Sequence, residues 1–230
     1  MFRFLINSMA DDSNNTTEGT GGAVAPPSVV RRLSSLCLFV GIAFTGLAAD
    51  LYTKDWAFQA LGMPGEYRRE TEPELKAVYW IWQDVAGFQT SLNSGGLFGI
   101  LGGQTTVLVI LSLVFLGGIT VYLLLLAWRS LLFSMVLGMI TAGICGNLYD
   151  RLGWHGLVYP QWHEKADAPI YAVRDWILCM IGTFPWPNFN IADSLLVCSV
   201  ILLVLHMLFF EAPDSSKQAA PCSLSQPETV

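Results

Sequence analysis

Charge is scarce in this chain: Asp, Glu, Lys and Arg make up 13% of its 230 residues, against about 25% in soluble globular domains, while 53% of residues are hydrophobic. That shortage excludes an ordinary soluble domain, and a net charge of −6 gives nucleic acid no electrostatic reason to bind. Cysteine pairing is missing as well. Cys37, Cys145, Cys179, Cys198 and Cys222 form no CxxC pair and no disulfide framework, and the three inside apolar runs read as small hydrophobes. Histidine is sparse: His155 and His163 stand apart in a polar stretch and read as surface residues, without an HExxH or cysteine partners, and His206 reads as a packed residue inside an apolar run. Neither a metal centre, nor a Ser/His/Asp triad, nor a glycine-rich phosphate loop has the residues it needs, so no metal or cofactor is expected.

What is abundant is long apolar sequence. A bilayer core takes roughly 20 apolar residues in helix, and four runs qualify: residues 33–52, 105–128, 131–149 and 191–210. The expected fold is therefore an all-α membrane protein of four transmembrane helices, with both termini on one side. Arg129 and Ser130 are nearly all that joins the second and third runs, which makes them a tight helical hairpin. The other two connections are long and share the opposite face, where they form a small extended region and an interfacial loop. They carry Trp56, Trp80, Trp82, Trp154, Trp162, Trp176 and Trp186, and indole rings favour the membrane interface. Arg31 and Arg32 before the first run favour a cytoplasmic N-terminus. Residues 1–30 and 212–230 are polar and read as disordered cytoplasmic extensions of a domain spanning 31–211.

Four aspartates, Asp50, Asp150, Asp175 and Asp193, fall at span ends or in the last loop, all towards one membrane face. A carboxylate in a span costs about 2.5–3.5 kcal/mol on insertion scales, so their number asks for a reason. Asp50 and Lys54 are four apart and can pair on one helix face. Asp150 ends the third run, where the helix dipole disfavours it and Arg151 could compensate. Asn190 and Asp193, three apart, look like a helix start. Two carboxylates sharing one proton are the minimum equipment of an aspartic peptidase, and Asp193, at a helix N-terminus, is the more acidic candidate; spacing alone does not identify its partner. The competing class is a non-enzymatic membrane protein binding ions or protons, which would place its acids nearer the midplane.

In SGGLFGILGG, Gly95, Gly99 and Gly103 recur every four residues, either as a helix-packing pattern or as a turning segment open to a ligand. Here the sequence resembles the lipoprotein signal peptidases, signal peptidase II. GICGNLYDR is similar to that family's GNxxDR block, FNIADS to its FNxADS block, NSGGLFG to its NxGxxF segment and DLYTK to its DxxxK. Val173-Arg174-Asp175-Trp176 fills the remaining Val-x-Asp-aromatic block, 18 residues before Asp193. The interval from Asp150 to Asp175, 25 residues, exceeds the family's spacing and implies a surface insertion near 157–169, with Asp150 kept as the substitute candidate.

The resemblance implies a monomeric intramembrane aspartic endopeptidase of the bacterial cytoplasmic membrane. Such an enzyme cuts lipid-modified prolipoproteins before the diacylglyceryl cysteine, near the outer face, without a cofactor. Its implied catalytic residues are Asp175 and Asp193. Asn93 and Gly95 would contact the substrate backbone. Asn147, Asp150, Arg151, Asn190 and Ala192 would shape the site, and Asp50 and Lys54 would hold the first span.

Overall fold

The computed structural model describes residues 29–65, 78–95, 103–125 and 130–210. The terminal extensions, Arg68, Arg69, Gly99, Trp128, Arg129 and Cys222 lie outside the described residues. Four helices carry the fold: α1 (Val29–Leu61), α2 (Thr105–Leu125), α3 (Leu131–Arg151) and α4 (Ile191–Phe210). All four are long and apolar enough to cross a membrane. Four strands, β1 (Tyr79–Trp82), β2 (Ala86–Asn93), β3 (Val173–Ile181) and β4 (Phe184–Pro185), form an antiparallel sheet in the order β1-β2-β3-β4. The four helices match the expected spans, and the sheet gives the extended region its form.

Helix α1 continues nine residues past the expected end. At about 1.5 Å per residue its 33 residues measure ~50 Å, well beyond a ~30 Å hydrocarbon core. It continues because Asp50, Lys54 and Asp55 find ion partners in the fold and no breaker intervenes before Gly62. That glycine, at φ 79°, ends the helix in the left-handed conformation.

Helix α3 is the centre of the bundle, packed between α1 and α4 and flanked by α2. Its buried face includes Gly138, Ala142, Gly143 and Gly146, small residues that let helix backbones approach closely where lipid offers no hydrophobic drive. A Cβ on Gly143 would lie 2.7 Å from the Ala192 carbonyl oxygen, and one on Gly138 2.9 Å from that of Phe39. A Cβ on Gly146 would overlap the Asp50 carboxylate and come within 3.3 Å of Ala192 Cβ. Helix α3 stops in a Schellman turn: Trp154 N donates to Tyr149 O, Gly153 N donates to Asp150 O, and Gly153 sits at φ 72°. Asp150 and Arg151 are thereby fixed in its last turn.

The insertion returns to where it left. Val158 bridges Pro169, Ile170 N donates to Leu157 O, and Gln161 Nε2 donates to both Asp167 carboxylate oxygens. The Trp162 ring lies against Gly65, beyond the end of α1. Because the excursion is closed at its base, the long interval between Asp150 and Asp175 does not separate them in space. Of the tryptophans assigned to interfacial loops, Trp56 belongs to α1 and Trp176 to β3. The two rings meet Phe88 edge-on, with centroids 5.5 and 5.0 Å away, and each other at 5.9 Å, and so wedge the sheet against the helix.

Gly146→Ala should lower stability in detergent by roughly 1–3 kcal/mol through overpacking. Gly117→Ala in α2, whose Cβ would meet nothing within 4 Å, should be neutral or stabilising by thermal unfolding.

Candidate active site

Three helices and the sheet bring their polar residues together at one end of the bundle. The innermost layer is ionic. Lys54 Nζ lies 2.7 Å from Asp50 Oδ2 and 3.2 Å from Asp150 Oδ2, and all three side chains are fully buried. Asp50 uses its other oxygen to accept the Ala192 backbone N–H at 2.8 Å, so a residue of α1 caps the N-terminus of α4. Asp150 accepts the Arg174 backbone N–H at 2.9 Å, with Arg174 Nε and Nη2 on its Oδ1 at 3.1 and 2.9 Å. Arg174 also pairs with the exposed Asp55. The counter-charge of Asp150 is therefore Arg174 and Lys54, where the sequence had offered Arg151.

The second layer lies against the first. Successive residues of a strand point to opposite faces, so Arg174 faces the ion pairs and Asp175 the other way. Asp175 sits opposite Ser91 in the β2–β3 ladder and is 1% exposed. Its Oδ1 accepts Asn190 Nδ2 at 2.6 Å, and the Asn93 side chain donates to it too. Asp193, half-buried, accepts Asn147 Nδ2 on Oδ1 at 2.8 Å and the Asn190 backbone N–H on Oδ2 at 3.3 Å. Asp193 N in turn donates to Asn190 Oδ1 at 3.0 Å, which completes the reciprocal helix cap expected for this pair. One asparagine thus holds both carboxylates. Asn190 Nδ2 also donates to Asn147 Oδ1 at 3.2 Å. Arg151 Nη2 donates to Gly95 O at 3.2 Å, and Gly95 N donates to Asn93 Oδ1 at 3.0 Å, tying the end of β2 to the end of α3.

Burial, then the neighbouring Asp193 charge, pushes the Asp175 carboxyl up to about 8, against the hydrogen bonds from Asn190 and Asn93 and the Lys54 charge. A carboxyl that keeps its proton at neutral pH beside one that accepts two N–H groups is an acid and a base side by side.

The site residues that the resemblance implied, Asp50, Lys54, Asn93, Gly95, Asn147, Asp150, Arg151, Asp175, Asn190, Ala192 and Asp193, all fall in these two layers. Sequence reasoning missed Asp55 and the inward role of Arg174. The alternation of VRDWILCMI was the available signal for Arg174; nothing local marked Asp55. His155 and His163, read as surface residues, are both half-buried, the Nδ1 of each accepting a backbone N–H two residues on, from Leu157 and Lys165.

The fold and this cluster define a class, a four-span membrane protein with a carboxylate site at one end of its bundle. A family model described as Signal peptidase (SPase) II matches residues 42–209, and the chain belongs to the signal peptidase II family. A lipoprotein signal peptidase of Rhodopirellula baltica is 40% identical over 173 residues, 74% of this chain and 70% of its own. A lipoprotein signal peptidase of Rhodococcus jostii is 28% identical over 208 residues, 90% of each chain. Among solved structures, a bacterial membrane enzyme determined by the in meso method shares the fold at TM-score 0.54 and 24% identity, over 74% of this chain and 87% of that one.

The two buried aspartates of the sheet junction should respond oppositely to isosteric neutralisation. Asp150→Asn removes the charge that partners Lys54 and Arg174 and should cost roughly 3–5 kcal/mol. Folded protein keeps the Asp175 proton up to about 8, whereas an unfolded chain releases it near 3.8, so rising pH favours unfolding across that window. Asp175→Asn should therefore melt at or above wild type, with its advantage growing as pH rises through the window and levelling beyond it. Thermal unfolding in detergent across pH checks both.

Proposed function

We propose that this membrane peptidase cuts by an aspartic mechanism, with Asp175 as acid and Asp193 as base. The observation that supports it most is the Asn190 bridge: one side chain that donates to the Asp175 carboxyl and accepts from the Asp193 backbone, holding the two groups together at the mouth of α4. The half-buried Asp193 carboxylate takes a proton from water as its oxygen attacks the scissile carbonyl carbon, and the Asp175 carboxyl gives its proton to the carbonyl oxygen. Collapse of the resulting diol breaks the C–N bond. The proton now on Asp193 passes to the departing amine while a diol hydroxyl returns its proton to Asp175, which regenerates the pair.

The substrate class is a prolipoprotein carrying a diacylglyceryl cysteine, cut on the amino side of that residue to free the signal peptide. A lipid anchor holds the scissile bond at the lipid-water boundary, the level at which a site at the end of a helix bundle operates. Asn93 and Gly95, on the open end of β2, contact the substrate backbone, and Arg151 sets their position. Exposed Ile81, Trp82, Ile181 and Phe184 around the sheet's turns suit an interfacial setting. Arg31 and Arg32 at the start of α1 favour cytoplasmic termini and a site on the outer face. The protein acts as a monomer in the membrane of a bacterium.

The test is hydrolysis of a diacylglyceryl-modified prolipoprotein by the purified protein in detergent. Asp175→Asn and Asp193→Asn should each abolish turnover while remaining folded, and Asp150→Asn should keep residual turnover wherever it is folded. Turnover at the wild-type rate in Asp193→Asn would end the proposal. The wild-type rate should also fall as pH rises through about 8, where Asp175 loses its proton.

A further inference from the structure

The Asn147 amide has a direction that something must enforce. Its Oδ1 accepts from Lys54 Nζ and from Asn190 Nδ2, each at 3.2 Å, while its Nδ2 donates to Asp193 Oδ1 at 2.8 Å. Turned over, the amide would set its NH2 against an ammonium and a second NH2, neither of which can accept, and its oxygen against a carboxylate. An ammonium carries donors only, and Lys54 is fully buried, so water cannot relieve the mismatch.

We infer that Lys54 is a positioning residue for the dyad, one that fixes the Asn147 amide so that its nitrogen is delivered to Asp193 and its oxygen anchors the asparagine that holds Asp175. This rests on the dyad reading above. Lys54 touches neither carboxylate of the dyad, and its other partners bear on the same geometry. Asp50 holds the N-terminal amide of Ala192 on the helix that carries Asp193, and Asp150 holds the backbone N–H of Arg174, next to Asp175 on the strand. The ammonium is therefore common to the helix and the strand that present the two reacting groups. The charged groups gathered around the dyad are Asp50, Lys54 and Asp55 from α1, Asp150 and Arg151 from α3, and Arg174 from β3.

Removing Lys54 alone would leave the buried Asp50 carboxylate without its cation, so the test keeps the charge balanced by neutralising Asp50 as well. In Asp50→Asn/Lys54→Met the side-chain oxygen at position 50 can still accept the Ala192 N–H, and its NH2 group faces no ammonium. Relative to wild type, the double variant should lose roughly 10- to 100-fold in kcat, the scale of a misplaced reacting group, with KM within about twofold. The alkaline limb of its pH profile should move to higher pH, because the Lys54 charge is one of the influences that lower Asp175. Once Asn147→Leu is present, adding the Asp50→Asn/Lys54→Met pair should cost far less than it does in the wild-type background. An unchanged kcat and pH profile, losses that multiply, or a charge-balanced variant that no longer folds would each overturn the inference. Asp175→Asn and Asp193→Asn run in the same assay: turnover in either sinks the dyad itself, whereas their silence with a fully active Lys54 variant sinks only the positioning role.

Discussion

The structure depends on one buried ammonium. Lys54 stands where α1, α3, β3 and the start of α4 converge, and its neighbours Asp50 and Asp150 extend its reach to a helix N-terminus and a strand backbone. Burying such charges is expensive unless they are paired and fully hydrogen-bonded. Here the pairing ties the membrane bundle to the sheet, beside the aromatic cluster of Trp56, Phe88 and Trp176 that packs the sheet against α1. The small residues along α3 serve the same end, above all Gly146, whose missing side chain leaves room for the Asp50 carboxylate.

Against that frame the four aspartates divide cleanly by their surroundings. Asp50 and Asp150 each face a fixed cation and donate structure, whereas Asp175 faces asparagines and another acid. An environment made of amides and a like charge stabilises an ionised carboxylate far less than a guanidinium does, so the same residue type becomes a proton holder in one place and a strut in another. Such a site opposes folding at neutral pH, since burial and the neighbouring Asp193 charge hold the Asp175 carboxyl up at about 8.

Much of this was legible in the sequence, for reasons that differ by element. The spans were visible because apolar length is a property of a run, and the cap at Asn190 because it is local. The Asp50 and Lys54 pair followed from helical spacing. The partners of Asp150 were not legible, since Arg174 lies 24 residues away and is brought back by an excursion closed at its base; the adjacent Arg151 was the obvious local choice and points instead to Gly95. The end of α1 was misplaced because charges at 50, 54 and 55 look like the close of an apolar helix when their partners are unseen. The double duty of Asn190, donor to one acid and cap for the other, is a tertiary fact that no spacing announces.

The central claim is that the buried Asp175 carboxyl, held by Asn190 next to Asp193, keeps its proton at neutral pH. Infrared difference spectroscopy of the carboxyl stretch, comparing wild type with Asp175→Asn at neutral pH, tests it most directly. The account predicts a protonated-carboxyl band in wild type that is absent in Asp175→Asn and that fades in wild type as pH rises through about 8. A wild-type spectrum with no protonated carboxyl at neutral pH, or a band that survives the substitution unchanged, would contradict it.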